Sequence, residues 1–171
     1  MALILPHHGV SPKIAIDAFV APNATIIGDV EIGGEASVWF QTVVRGDVYP
    51  IRIGPRSNIQ DLSMVHVRTN KYATILEEDV TVGHSVTLHG CILRARCLIG
   101  IGAIVLDGVE VGEDTIIAAG SVITPGTIIP PRVLAVGAPC KVKRDLTEQE
   151  VVSLKASAEN YVLLAKTYRN A

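Results

Sequence analysis

Three histidines in the middle of the chain, His66, His84 and His89, are surrounded by small and aliphatic residues. Neutral imidazoles are common metal ligands, and three of them with one open coordination position are typical of catalytic zinc. Structural zinc usually has four ligands, often cysteines. The histidines therefore predict one divalent metal site, holding Zn²⁺ or, as alternatives, Fe²⁺ or Co²⁺. The other interpretation is that they occupy surface turns without a common partner.

A six-residue period predicts how these histidines are positioned. Nineteen aliphatic residues recur with this spacing, and most are followed four positions later by a small residue; Ile14, Val20, Ile26, Ile32, Val38 and Val44 form the first run. This period fits a coil of three short strands that each point one aliphatic and one small residue inward. The sequence predicts an all-β fold, a parallel β-helix of hexapeptide repeats with about six coils.

The chain is predicted to be a single domain, residues 1–171, in three parts. The β-helix covers residues 10–135, with loops where the steps Val44 to Ile53 and Val65 to Leu76 are long. A connecting segment, 136–146, leads to a C-terminal helix, 147–170, that packs on the coil. Thr147 and Glu150 form its capping box. One apolar stripe comprises Val151, Leu154, Ala158, Tyr161, Ala165 and Tyr168.

The repeat register places the histidines in space. His66 follows the inward Val65 and His89 follows the inward Leu88, three steps or one full coil later. These two should stack on one face, about 4.8 Å apart like neighbouring strands. His84 falls on a different face, so a second subunit would have to supply it. A trimer with one metal at each interface satisfies this arrangement.

Polar residues are predicted to surround the metal. Arg45 lies one coil before His66 on the same face, and Asp61 occupies the slot of His84 one coil earlier. Together with Asp47 and Gln60 they could orient the ligands and the bound water. The alternative for each is a solvated corner of the coil.

Four further residues are not expected to take part in the site. Cys97 occupies an inward position and should lie in the core, and Cys91 is a less favoured candidate for a fourth ligand. His7 and His8 precede the repeats and should form a surface pair.

The composition of the chain argues against several classes of protein. The formal net charge is −2, with no block of like charges, which argues against nucleic acid or an anionic membrane as the partner. No apolar run approaches the ~18 residues of a membrane span, and the first six residues are too short for a signal peptide. Three cysteines without paired spacing argue against a disulfide framework. We expect a cytoplasmic protein.

The motifs together resemble the γ-class carbonic anhydrases and their homologues. The resemblance covers roughly residues 10–145 and is carried by Arg45-Gly46-Asp47, Asn58-Ile59-Gln60-Asp61, His66, Val82-Gly83-His84 and Leu88-His89-Gly90-Cys91. It implies a left-handed β-helix, an exception to the usual right-handed crossover, assembled as a homotrimer. It also implies an interfacial metal whose ligands are His66 and His89 of one subunit and His84 of the next.

The activity implied by the resemblance is reversible hydration of carbon dioxide to bicarbonate by a metal-bound hydroxide. The catalytic residues would be Gln60, which orients the hydroxide, with Arg45 and Asp61. Arg45, Asp47 and Asp61 would also tie the subunit interface together. Asn58 and Tyr161 would contact the substrate.

Two departures from the family pattern concern proton transfer. Val48 stands where some members carry an acidic residue, and the loop Arg68-Thr-Asn-Lys-Tyr72 is short and basic where they have a longer acidic one. Glu77 and Glu78 lie near this loop in the sequence. A catalytic cycle that releases a proton needs an acceptor for it. Two other functions therefore stay open: a thioesterase or other acyl-group enzyme, and a non-catalytic, metal-stabilised trimeric scaffold.

Overall fold

The computed structural model describes residues 1–169 and contains twenty strands and one helix. In chain order they are β1 (Leu3–Leu5), β2 (Lys13–Ile14), β3 (Phe19–Val20), β4 (Thr25–Ile32), β5 (Ser37–Val38), β6 (Val43–Ile53), β7 (Asn58–Ile59), β8 (Met64–His66), β9 (Thr74–Leu76), β10 (Thr81–Val82), β11 (Thr87–His89), β12 (Ile92–Leu93), β13 (Leu98–Ile99), β14 (Ile104–Val105), β15 (Glu110–Val111), β16 (Ile116–Ile117), β17 (Val122–Ile123), β18 (Ile128–Ile129), β19 (Val133–Val136), β20 (Lys141–Asp145) and α1 (Glu148–Arg169).

The strands wind into a β-solenoid of about seven turns with three faces. Face A stacks β1, residues 25–27 of β4, residues 43–45 of β6, β8, β11, β14 and β17. Face B stacks β2, the second halves of β4 and β6, β9, β12, β15 and β18. Face C stacks β3, β5, β7, β10, β13, β16 and β19. The predicted fold class is confirmed. The turn count exceeds six because β1 and β19, outside the six-residue pattern, also join the stack.

The predicted aliphatic ladder forms the core. On face A, Val44, Val65 and Leu88 pair in register, and each is fully buried. A small interior fits only short aliphatic side chains, which explains the low aromatic content of 4%. All three cysteines, Cys91, Cys97 and Cys140, are free and buried.

The two long steps have different structures. Residues 67–73 form a loop closed by a bridge between Arg68 and Tyr72, as expected. The step from Val44 to Ile53 is not a separate loop, because β6 runs through it as one continuous strand. Asp29 alone on β4 lies opposite residues 47–50 on β6, so the extra residues form a bulge. This bulge carries Asp47.

Arginine–aspartate pairs line the corner between faces B and C. Arg56 and Arg96 adopt left-handed backbone angles there, with φ of 56° and 59°. Arg56 makes two hydrogen bonds to Asp79, at 2.8 and 2.6 Å, and Arg96 makes two to Asp114, at 2.7 and 2.9 Å. Bidentate pairs of this kind are strong and directional. They tie successive coils together where non-glycine residues occupy an unfavourable conformation.

The C-terminal segment closes the solenoid and covers face C. Residues 141–145, predicted as part of a connecting segment, form β20, which pairs antiparallel with β19. The capping box of α1 is confirmed: Glu150 N–H donates to Thr147 Oγ1 at 3.2 Å, and Thr147 N–H donates to the Glu150 carboxylate at 2.9 Å. The helix ends at Arg169, and residue 170 of the predicted range lies outside the described residues.

The helix packs on β3, β5, β7 and β10. Its buried residues are Leu154, Ala158, Val162 and Ala165. Three of these belong to the predicted stripe, whereas Val162 does not and Tyr168 is exposed. Within residues 1–169, no helix is both long enough and apolar enough to cross a membrane.

Candidate metal centre

His66 and His89 stack at the corner where face A turns into face B. They pair in register at the ends of β8 and β11, and their ring centroids are 5.1 Å apart, so the predicted stacking is confirmed. Nδ1 of His66 lies 3.2 Å from Nε2 of His89. Thr74 holds the two backbones together: its hydroxyl donates to the His66 carbonyl at 2.5 Å and accepts from Gly90 N–H at 2.9 Å.

A carboxylate binds the outer nitrogen of each of these two rings. Asp47 Oδ1 lies 2.8 Å from His66 Nε2, and Asp107 Oδ1 lies 2.6 Å from His89 Nδ1. Arg45 pairs with the other oxygen of Asp47, and Arg68 donates to Asp107 Oδ2 at 3.0 Å. A carboxylate accepts the N–H of a neutral imidazole, so the proton is held on the outer nitrogen. The inner nitrogens then present their lone pairs to each other.

These contacts keep both carboxylates ionised. Burial alone would raise the pKa of the Asp47 carboxyl, but hydrogen bonds from His66 and Arg45 outweigh it and hold that pKa below its ordinary value. For Asp107, burial acts in the same direction, and hydrogen bonds from His89 and Arg68 again hold the pKa low. The two aspartates therefore stay able to accept the imidazole protons over the neutral range.

The donor set fits a divalent metal ion. With their outer nitrogens bound to carboxylates, His66 Nδ1 and His89 Nε2 lie 3.2 Å apart, and both would be available to bind one ion as neutral imidazole ligands. Two ligands are too few for such a site. Within residues 1–169, no group of three or more His, Cys, Asp or Glu side chains of a single chain is arranged to hold a metal.

His84 lies at another corner, where face C turns into face A. It follows β10, and its Nδ1 is 2.9 Å from Oδ2 of Asp61. Its side chain is 43% exposed, so the ring can be reached by another molecule. The predicted separation of His84 from the other two histidines in one chain is confirmed. The Asp61–His84 pair repeats the arrangement at His66 and His89: each histidine has its own aspartate.

Gln60 and Asn58 lie beside this second corner. The Gln60 side chain is largely buried and lines a cavity of about 340 Å³ between face C and the helix. Its amide donates to Asn58 Oδ1 at 3.1 Å, and Asn58 in turn donates to Thr81 Oγ1 at 3.1 Å. Asn58 is fully buried. Its contacts make it a residue that positions Gln60, a different role from the predicted substrate contact.

Tyr161 approaches the same corner from the helix. Its ring packs edge-on against Trp39, with centroids 5.4 Å apart, and it remains partly exposed. Burial raises the pKa of the Tyr161 phenol, and the negative charge of Asp61 raises it further. The phenol is therefore a neutral hydroxyl near Asp61, available for hydrogen bonding.

Several sequence expectations change in the structure. Cys91 points into the core, where burial raises the pKa of its thiol to about 12, which argues against a thiolate ligand. Glu77 does not face the metal corner: it lies at the far end of face B and binds Arg94 at 2.7 Å and the N–H of Ala95 at 2.9 Å. Glu77 is near the loop of residues 68–72 in the sequence but not in space, because β9 carries the chain across face B in between.

Asp107 was missed by the sequence analysis. The repeat register does not identify it, because Leu88 pairs with Val105 and the position one coil beyond His89 is therefore Leu106. Asp107 lies one residue further along the chain, and its side chain turns back to His89. His7 and His8 were expected to be a plain surface pair, but they line a cavity together with Asp47.

Comparisons with known proteins identify relatives of this chain. The family described as "Bacterial transferase hexapeptide (six repeats)" matches residues 90–125. A Geobacillus kaustophilus protein named carbonic anhydrase is 48% identical over 98% of this chain and 91% of its own length. The mitochondrial γ-carbonic anhydrase 2 of Arabidopsis thaliana is 42% identical over 92% of this chain, which spans 59% of that protein.

A solved structure extends the similarity to the whole fold. The crystal structure of a hexapeptide transferase family protein from Anaplasma phagocytophilum has a TM-score of 0.94 and 44% identity. The matched region covers 97% of this chain and 98% of the Anaplasma phagocytophilum chain. The names of these relatives differ between anhydrase and transferase, but the sequence identity extends over nearly the whole chain. The chain belongs to the γ-class carbonic anhydrase family of hexapeptide-repeat proteins.

Proposed function

We propose that this protein is a metal-dependent carbonic anhydrase that hydrates carbon dioxide at sites between subunits of a homotrimer. One observation carries the proposal: each of the three histidines has an aspartate on one ring nitrogen, at 2.8, 2.9 and 2.6 Å. Carboxylate–histidine pairs of this kind orient metal ligands and increase their basicity. Histidines that only occupy surface turns need no such partners, so three pairs at two corners favour a metal site.

The surface between the two corners supports self-association. Face A runs from the His84 corner to the His66–His89 corner, and it exposes the apolar side chains of Leu62, Met64 and Ile104. An exposed apolar strip bounded by polar groups is typical of an interaction site. Contact between the two different corners is a head-to-tail interface, which closes into a ring when three subunits associate. Each interface would then combine His66 and His89 with the neighbour's His84.

A divalent ion held by these histidines, zinc or alternatively Fe²⁺ or Co²⁺, would lower the pKa of a water molecule to near 7 and so supply a nucleophile at neutral pH. Side chains of the protein would orient the ligands and the reacting oxygen. Asp47, Asp61 and Asp107 hold the imidazole protons away from the ion. Gln60, fixed by Asn58, presents its amide to orient the attacking oxygen, and Tyr161 supplies a neutral hydroxyl near Asp61.

Arg45 has two roles in this proposal. It neutralises Asp47, which limits the negative charge beside the metal, and its guanidinium is 40% exposed at the corner that faces the neighbour. An exposed guanidinium can bind a carboxylate across the interface in a bidentate manner, and Asp61, next to His84 on the neighbour's corner, is the complementary group. The bicarbonate product carries one negative charge, which Arg45 also attracts.

The test combines metal analysis, mass measurement and kinetics on the purified protein. We expect a trimer with about one divalent ion per chain and stopped-flow hydration of carbon dioxide, and we expect both metal and activity to be lost in His84→Ala. A trimer that keeps its metal but does not hydrate carbon dioxide would refute the catalytic proposal and favour a scaffold. Cleavage of acyl-thioesters without hydration would favour an acyl-group enzyme.

A further inference from the structure

A small cavity lies against the metal corner beside the bulge of β6. It has a volume of about 250 Å³, and its polar groups belong to His7, His8, Asp29, Asp47 and Tyr49. The shared residue is Asp47, whose carboxylate also binds His66. Polar walls and this volume are sufficient for several ordered water molecules. The cavity therefore connects the surroundings of the metal corner with two histidines that the proposed metal site does not use.

The N-terminal segment is folded so that these two histidines face the cavity. His7 and Val10 exchange backbone hydrogen bonds at 2.9 and 3.0 Å, which makes a tight turn with His8 and Gly9 in left-handed conformations. His7 packs directly over Gly28: a Cβ added to that glycine would lie 3.3 Å from the His7 Cβ. A Cβ at position 28 would first meet the backbone carbonyl of Gly46, so the glycine is what allows β4, β6 and the N-terminal turn to approach one another closely.

The two rings form a pair that reaches from the cavity to solvent. Their centroids are 4.2 Å apart in an edge-to-face arrangement, with His7 half-buried and His8 exposed. The other charged groups of the cavity are already paired: Asp29 with Arg52 at 2.8 Å, and Asp47 with His66 and Arg45. In the part of the chain that the structure describes, no ion pair involves His7 or His8.

We propose that His7 and His8 remove the proton that carbon dioxide hydration releases, passing it from water in this cavity to solvent. The inference rests on the proposed function. Hydration converts carbon dioxide and water to bicarbonate and one proton. A nitrogen lone pair of an imidazole accepts that proton from a cavity water and releases it to a buffer base, which returns the ring to its neutral form. No group is oxidised or reduced.

The chemistry of histidine suits this task. Imidazole ordinarily titrates near pH 6.5, so it can accept and release a proton at neutral pH with little free-energy change. The chain has Val48 and a basic loop where an acidic proton carrier would otherwise stand, and Glu77 is bound to Arg94. His7 and His8 line a cavity that also contains Asp47, which places two imidazoles beside the metal corner.

The experiment compares the metal-loaded protein with the double variant His7→Gln/His8→Gln. Proton transfer limits kcat but not kcat/KM, which reports the conversion of carbon dioxide itself. In dilute buffer we expect kcat to fall by about 10-fold or more, and kcat/KM to stay within about 2-fold. Added imidazole should restore kcat. Lys13→Gln, an exposed change in the same segment, is the matched control and should leave both constants unaltered.

A second readout does not depend on activity. Diethyl pyrocarbonate modifies accessible neutral imidazoles, so peptide mass spectrometry of the metal-loaded protein should find His7 and His8 modified and the three metal-site histidines protected. Protection of His7 and His8, or an unchanged kcat in the double variant of an active protein, would overturn this inference alone. A wild-type protein without hydration activity would instead overturn the proposed function and this inference with it.

Discussion

The division of the metal site between two corners makes a prediction about mixed trimers. In the proposed trimer, each site needs His66 and His89 from one subunit and His84 from its neighbour. A His66→Ala subunit therefore has an intact His84 corner, and a His84→Ala subunit has an intact His66–His89 corner. Trimers of either variant alone should be inactive, but a mixed trimer regains a complete site wherever the two intact corners meet.

The size of the recovery follows from the geometry. In randomly assembled trimers from equal amounts of the two variants, each interface has one chance in two of an intact His66–His89 corner and one in two of an intact His84 corner. About 25% of the sites should therefore be complete. Co-expression with two different tags, purification without selecting any composition, and measurement of bound metal and hydration rate per site would give this fraction directly.

The matched control is a mixture of His66→Ala and His89→Ala subunits. Nδ1 of His66 and Nε2 of His89 lie 3.2 Å apart at one corner of one chain. No combination of these two variants restores a complete site, so the recovery should be about zero. Failure of the His66→Ala and His84→Ala mixture to recover metal or activity would refute the shared site. Equal recovery in both mixtures would also refute it, because the ligands would then not be divided as the two corners require.

Three further predictions concern single residues. Asp107→Asn removes the carboxylate that orients His89 and should weaken metal binding by about 10- to 100-fold in a chelator competition, while the fold is kept; unchanged affinity would argue against the role of Asp107. Leu88→Ala, in the fully buried position before His89, should lower the free energy of unfolding by about 2–5 kcal/mol in urea denaturation. The pKa of Glu150 is lowered to about 2, first by the hydrogen bond from Arg144 and then by that from the Thr147 N–H. A lowered carboxyl pKa stabilises the fold above its ordinary value and loses this contribution as pH falls toward the lowered one. Glu150→Gln should therefore reduce the stability lost between pH 5 and pH 2; an identical loss in both proteins would contradict this.

The coil and the stacking of the histidines could be predicted because the repeat is local. A six-residue step places Val65 and Leu88 inward on the same face of neighbouring coils, and the residue after each must stack. The same count of six-residue steps places His84 one corner away from His66 and His89. The number of turns was underestimated because β1 and β19 pair with the solenoid without following the pattern.

The contacts of the corner residues could not be read from the repeat. The period says which residues point inward, but side chains at a corner can turn along either adjoining face. Glu77 therefore pairs with Arg94, and Asn58, which was predicted to contact the substrate, is buried and accepts a hydrogen bond from Gln60. The bulge in β6 likewise directs Asp47 onto His66, which the longer spacing alone did not specify.

The sequence by itself determined the β-helix and the positions of His66, His84 and His89 on it, because inward aliphatic residues must follow the period of the coil. Only the tertiary structure decided that His66, His84 and His89 each pair with an aspartate, that Asn58 holds the side chain of Gln60, and that the N-terminal turn brings His7 and His8 to the cavity beside Asp47. Those features depend on side-chain directions and on contacts between distant segments. The six-residue period determines neither the side-chain directions nor these long-range contacts.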